Sequence, residues 1–232
     1  MNSSLSSLSS NPFATRFVLP GKVAWVGADD YLQQLASRWQ AMNFRAAIVG
    51  VHGSGKSTLL EHFVPWIGDV HWRRDAEGKQ ISTLHCNNVS RKECWPTVWL
   101  QLRKSNPQSM NIPWAELIRG RVLILDGYEQ LAYWRRAMLV LRTAQRGVKL
   151  LVTSHRRTAL ATLCELSIKA CTARRIVSQL TAGCGDVATF SDAEIQQCLQ
   201  AHGGNMREVL MDFYDRVEER RAAGTPKVKT NS

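Results

Sequence analysis

In Gly50-Val51-His52-Gly53-Ser54-Gly55-Lys56-Ser57, residue type and spacing together specify a chemistry. Glycines at 50, 53 and 55 let the backbone curl so that its amides converge on an anion. A helix opening at Lys56 adds the positive end of its dipole to the same place. Lys56 supplies a full charge for terminal phosphates, and the Ser57 hydroxyl is suited to hold Mg2+. His52, Ser54 and Thr58 join Gly50, Gly53, Gly55, Lys56 and Ser57 as the residues expected to line a bound nucleotide. The same glycines would also serve a tight strand-to-helix turn that binds nothing.

Further along, Arg121-Val122-Leu123-Ile124-Leu125-Asp126 is an apolar run ending in an acid. An acid so placed can accept hydrogen bonds from magnesium-bound water, which makes Asp126 a metal-site partner of Ser57. Glu129, three residues on, is suited to orient or deprotonate an attacking water. It is equally suited to cap the helix expected from there to Arg146. The run Lys149 to Val152 ends in Thr153-Ser154-His155-Arg156-Arg157, a polar tip whose Thr153 can touch a γ-phosphate or the lytic water. Arg207, in the first turn of a last helix, is placed to reach back to phosphates.

These residues need strand ends and helix starts to hold them. Ala46 to Val49, Ile81 to His85, Val122 to Leu125 and Lys149 to Thr153 read as short buried strands, as does Leu166 to Cys171. They hardly alternate, as expected of strands covered on both faces. Asp30 to Gln40, Lys56 to Val64, Lys92 to Lys104 and Glu129 to Arg146 read as helices, the second stopped by Pro65. In the fourth, Leu131, Met138 and Leu141 are expected to face the core, and the eight tryptophans are expected to pack inside. Ser191-Asp192-Ala193-Glu194 has capping-box form and starts a helix ending near Ala201. Gly203 and Gly204 break it before a helix to about Arg221.

The domains expected are a Ser-rich disordered tail over 1–12, a nucleotide-binding core over 13–180, a small helical lid over 181–221 and a basic tail over 222–232. The chain has 232 residues, 44% of them hydrophobic, and a net charge of +11. Those values exclude wholly disordered and fibrous classes. Neither a signal peptide nor a membrane span is evident, and the six cysteines show no paired or zinc-type spacing, so a reducing cytoplasm is expected. Between Ala132 and Leu180 ten basic residues face the single acid Glu165. That segment suits nucleic acid or another acidic partner, unless its arginines only solvate a helix face.

Taken together, the Gly50–Ser57, Val122–Asp126, Thr153 and Arg207 segments resemble the P-loop NTPases, and among them the additional-strand ATPases of the AAA+ and STAND type. The resemblance implies an α/β fold of three layers with a mostly parallel sheet. In it, the strand of Thr153 separates the Walker B strand from the Walker A strand, and a helical lid follows. It also implies Mg-ATP hydrolysis coupled to conformational change on a macromolecular partner, with a homo-oligomer possible. No N-K-x-D or D-x-x-G of the GTPase branch stands at the matching places, which favours adenine. A small-molecule or nucleotide kinase and a non-hydrolysing nucleotide switch remain alternatives.

Overall fold

Three aliphatic runs give the sheet its centre. In the computed structural model, which describes residues 11–18, 29–67, 70–71, 97–103, 111–184 and 188–224, they are β1 (Arg45–Gly50), β4 (Val122–Asp126) and β5 (Lys149–Ser154). β1 is buried from Ala46 to Gly50 and β4 throughout. Alternate side chains point to opposite faces, so such strands require cover on both. The order is β2-β3-β4-β5-β1-β6, every pair parallel. β3 (Thr97–Gln101) and β6 (Ala161–Leu166) flank the centre, and β2 (Val70–His71) adds only two residues.

On one face, Ala47, Val49, Leu123, Leu125, Leu150 and Val152 share a core with Tyr128, Leu131 and with Leu139 of α4 (Tyr133–Gln145). Elsewhere α2 (Asp29–Ala41) and α3 (Lys56–Ile67) pack on each other, α2 on β6 and α3 on β1. Trp39 of α2 is fully buried, edge-on to Phe44 and Phe63, and its indole N–H donates to Leu150 O at 3.4 Å.

Counting the described residues, the chain divides into a larger unit, residues 27–51 and 56–166, and a smaller one, residues 1–26, 52–55 and 167–232. The smaller unit holds α1 (Thr15–Val18), α5 (Ala170–Thr181), α6 (Asp192–Ala201) and α7 (Met206–Gly224). Its core joins Phe13, Ile176, Val177, Ile195, Leu199, Val209 and Phe213. The capping box is formed: Glu194 N donates to Ser191 Oγ at 3.3 Å, and Ser191 N to Glu194 Oε2 at 2.7 Å.

Several expectations are corrected. The Lys92–Lys104 stretch, as far as it is described, is strand β3 rather than helix. Its Thr97-Val98-Trp99 core of β-branched and aromatic residues pairs in register with Val122, Leu123 and Ile124. The outer strand is β6, ending at Leu166, and Ala170–Thr181 is helix rather than strand tail. α3 runs through Pro65 to Ile67. No helix starts at Glu129, which lies in a 3-10 turn, Tyr128–Gln130, before α4 begins at Tyr133. α4 buries Leu139 and Thr143, and leaves Leu141 58% and Trp134 60% exposed, so neither Leu141 nor that tryptophan faces a core. The expected strand Ile81–His85 lies outside the described residues.

Candidate functional site

Parallel strands end on the same edge of a sheet, and their register decides which tips meet. Leu125 is level with Val152 and Gln101 with Asp126, so Asp126 and Thr153 finish side by side. β5 lies directly between β4 and β1, with Thr153 level with Ile48. α3, which opens at Lys56, therefore starts beside both tips. Ser57 Oγ donates to Asp126 Oδ2 at 2.8 Å and Thr153 Oγ1 to Asp126 Oδ1 at 2.6 Å. Gly127 N in turn donates to Thr153 Oγ1 at 2.9 Å, and Gln101 Nε2 reaches Asp126 Oδ2 at 3.5 Å. Asp126 is thus a buried carboxylate that accepts from the hydroxyls of Ser57 and Thr153.

Lys56 opens α3 and is itself buried. Its ammonium donates to Gly50 O at 2.6 Å and Val51 O at 2.7 Å, and lies 3.4 Å from His155 Nδ1. Burial pushes its pKa down, opposed first by Glu129 and then by Asp126. Glu129 is brought back to this place by the turn that follows β4. Gly127 takes a left-handed conformation, φ 91°, where a Cβ would stand 3.0 Å from Leu102 O, and the 3-10 turn then reverses the chain. His155 Nε2 lies 2.7 Å from Glu129 Oε1. Glu129 Oε2 is buried and has no hydrogen-bond partner among the described residues. Glu61, one turn into α3 from Ser57, has its carboxyl pushed up by burial and then by Asp126.

No family model matches the chain, and no curated protein matches it.

The residues present fit a magnesium nucleotide. A hydroxyl and a carboxylate face each other at Ser57 and Asp126, near Glu61, whose ionisation is disfavoured by burial and then by Asp126. Among the described residues, the Lys56 ammonium meets two backbone carbonyls and a ring nitrogen. Ser54 Oγ is buried with no partner among the described residues. Gly53 and Gly55 have φ of 67° and 85°, the left-handed curl that turns loop amides inward.

Of the expected site residues, the structure gathers Lys56, Ser57, Asp126, Glu129 and Thr153 within the larger unit. His52, Gly53, Ser54 and Gly55 belong by their contacts to the smaller one. A Cβ on Gly53 would overlap Asn205 Oδ1 and come 2.9 Å from Arg207 N. Arg207 is in the first turn of α7, its amide held by Asn205 Oδ1 at 3.2 Å, its side chain exposed. Thr58 is half-buried in the first turn of α3, and Gly50 ends β1.

Sequence reasoning did not single out His155 or Glu61, and it counted Arg136 only among the arginines of the basic 132–180 segment. Arg136 donates from Nη2 to Glu129 O at 2.7 Å and from Nε to Leu131 O at 2.8 Å, fixing the turn that carries Glu129. The strand-tip position of His155 was a signal for it; Arg136 left none, since its acceptors are backbone carbonyls.

The smaller unit gathers Cys198, His202 and Asp212, whose ligand-type atoms lie within 4.8 Å of one another. Asp212, however, already accepts from Arg216 Nε at 2.7 Å and Nη2 at 3.3 Å, so a cation holds both its oxygens. Burial pushes the Cys198 thiol up to about 12. The cluster reads as a hydrogen-bonded tie between α6 and α7. Among the described residues, no helix is long and apolar enough to cross a membrane.

Proposed function

We propose that this chain is a P-loop ATPase of the additional-strand type, binding Mg-ATP at Gly50–Thr58 and hydrolysing it beside Asp126. The observation that supports this reading best is the placement of β5 between β1 and β4, with Ser57 and Thr153 both donating to Asp126. A Gly-rich turn serving only as a connection would not require a buried carboxylate and an ammonium to converge on it, since each costs free energy to desolvate.

In this reading the amides of Gly53 to Lys56 hold phosphate oxygens, and Lys56 leaves its backbone carbonyls for the terminal phosphates. Ser57 and Asp126 would hold Mg2+, which when bound would draw charge from the phosphoryl oxygens. Glu129 takes a proton from the water that attacks the γ-phosphorus as the bond to the bridging oxygen breaks, and Thr153 keeps Asp126 and the Gly127 turn in place. Adenine selectivity rests on the missing GTPase motifs. Arg207 is assigned to phosphate sensing, and α6 and α7 are the elements expected to respond to nucleotide state, because the loop tip groups with them. The reading extends to a macromolecular, acidic partner, with nucleic acid foremost.

The test is phosphate release from Mg-ATP and Mg-GTP by wild type and Lys56→Ala. Lys56-dependent release from ATP in preference to GTP supports the reading. Phosphate release unaffected by loss of Lys56 would refute it, and release of ADP only when a phosphate acceptor is added would turn it towards a kinase.

A further inference from the structure

His155 stands immediately beyond β5, half-buried, with each ring nitrogen facing a different member of the site. Lys56 Nζ lies 3.4 Å from Nδ1, and Glu129 Oε1 lies 2.7 Å from Nε2. An ammonium has protons and no lone pair, so Nδ1 must accept. A carboxylate has lone pairs and no proton, so Nε2 must donate. One form of the ring meets both demands: neutral imidazole with its proton on Nε2. A doubly protonated ring would aim Nδ1–H at a second cation.

Glu129 is correspondingly divided. Its backbone carbonyl is taken by Arg136 and its Oε1 by His155 at 2.7 Å, with a longer contact from Gln130 Nε2 at 3.5 Å, while Oε2 is buried, without a partner among the described residues. One oxygen is held and the other is presented. We propose that His155 is a positioning residue for hydrolysis: it fixes the Glu129 carboxylate by a hydrogen bond to Oε1, so that Oε2 accepts the proton of the attacking water. Lys56 sets the ring's tautomer in the nucleotide-free state, and so ties the orientation of the base to the residue that greets the phosphates. The turn at Gly127 delivers the carboxylate, and a residue from the next strand orients it. The inference rests on the ATPase reading above.

The test uses the full chain with His155→Ala, His155→Gln, Glu129→Gln and the double variant His155→Ala/Glu129→Gln. Binding of Mg-ATP is measured calorimetrically, and kcat from phosphate release. His155→Ala is expected to lower kcat by ~10-fold or more, up to the ~10²-fold that loss of the base itself would cost, and to leave affinity unchanged. His155→Gln, whose amide N–H can still reach Oε1, is expected to recover part of the loss. His155→Ala is expected to add nothing once Glu129 is Gln. Long-range 1H–15N spectra of the nucleotide-free protein should show His155 neutral and protonated on Nε2, with that signature altered by Lys56→Ala. A wild-type kcat in His155→Ala, equal damage in the Ala and Gln variants, additivity with Glu129→Gln, or a ring protonated on Nδ1 would each overturn the assignment. Should wild type show no Lys56-dependent phosphate release, the ATPase reading falls and takes this inference with it. Active wild type indifferent to His155 sinks only this inference.

Discussion

At the scale of single residues, Lys56 and Glu129 separate binding from chemistry. In the proposed ATPase reading, Lys56 trades two backbone carbonyls, Gly50 O and Val51 O, for phosphate oxygens when nucleotide enters. A hydrogen bond to a charged group contributes about 1.5–3 kcal/mol, so Lys56→Ala is expected to weaken Mg-ATP affinity by roughly one to two orders of magnitude, as calorimetry would read. An affinity equal to wild type would remove Lys56 from the phosphate site. Glu129→Gln keeps an oxygen for His155 and loses only basicity. It should bind nucleotide as wild type does while hydrolysing ~10²-fold more slowly. Unchanged turnover would strike Glu129 from the catalytic set. Both residues were legible in the sequence, Lys56 because its motif is specific in spacing. Glu129 was legible only as a candidate, since the turn that returns it depends on Gly127 φ and on Arg136 binding its carbonyl.

At the scale of elements, β1, β4 and β5 could be read directly because a parallel strand buried on both faces is a continuous aliphatic run. β3 could not, because Trp95, Trp99 and Leu100 in sequence mimic a helical spacing, and what decides is pairing with β4. The buried face of α4 was misread for a related reason. Thr143 goes inside because its hydroxyl donates to Leu139 O at 2.7 Å and accepts from Arg45 Nη2 at 3.0 Å, a partner nearly a hundred residues away. The smaller unit depends on its aromatic centre, where Phe213 stacks on Phe190 at 4.1 Å and leans on Phe13 at 5.7 Å. Phe213→Ala should destabilise that unit by about 3–5 kcal/mol, measured by urea unfolding with a probe in α7. The α6–α7 tie makes a pH prediction. Hydrogen bonding from Arg216, then from Cys198 and His202, holds the Asp212 carboxyl down to about 2 from an ordinary 3.8, against the opposing effect of burial. A carboxylate depressed in the folded state stabilises fully above its unfolded pKa, and that stability is lost as pH falls from about 3.8 through 2. Since Asp212 is partly exposed, the contribution is about 1 kcal/mol or less. Asp212→Asn should therefore lower stability at pH 7 and make much less difference at pH 2. An equal loss at both values would mean packing, not charge, is what the aspartate supplies.

Across the whole molecule the 30 Lys and Arg residues overstate the side chains free to meet a polyanion, because the fold already engages several of them. Arg136 is spent on Glu129 O and Leu131 O, and Arg146 on Trp114 O at 2.7 Å. Arg157 pairs with Glu165, and Arg174 with Asp192. Arg135, Arg142 and Arg156 keep their guanidinium groups at the surface, Arg135 over the ring of the exposed Trp134. If nucleic acid is the acidic partner, these three carry the counterion release. Each phosphate neutralised steepens the dependence of log affinity on log salt by about 0.7 for a single strand and 0.9 for a duplex. Titrating fluorescent oligonucleotides across a salt series should then show Arg135→Ala and Arg142→Ala each flattening the slope by close to one phosphate. Arg136→Ala should leave the slope alone and instead slow ATP hydrolysis, because the turn holding Glu129 loosens. The contrast between adjacent positions is what gives the experiment its force. Nonspecific attraction to a basic protein would respond alike to loss of charge at 135 and at 136. Equal slopes for those two variants would therefore mean that α4 is no nucleic-acid surface, and that its outward Trp134 and Leu141 meet some other partner.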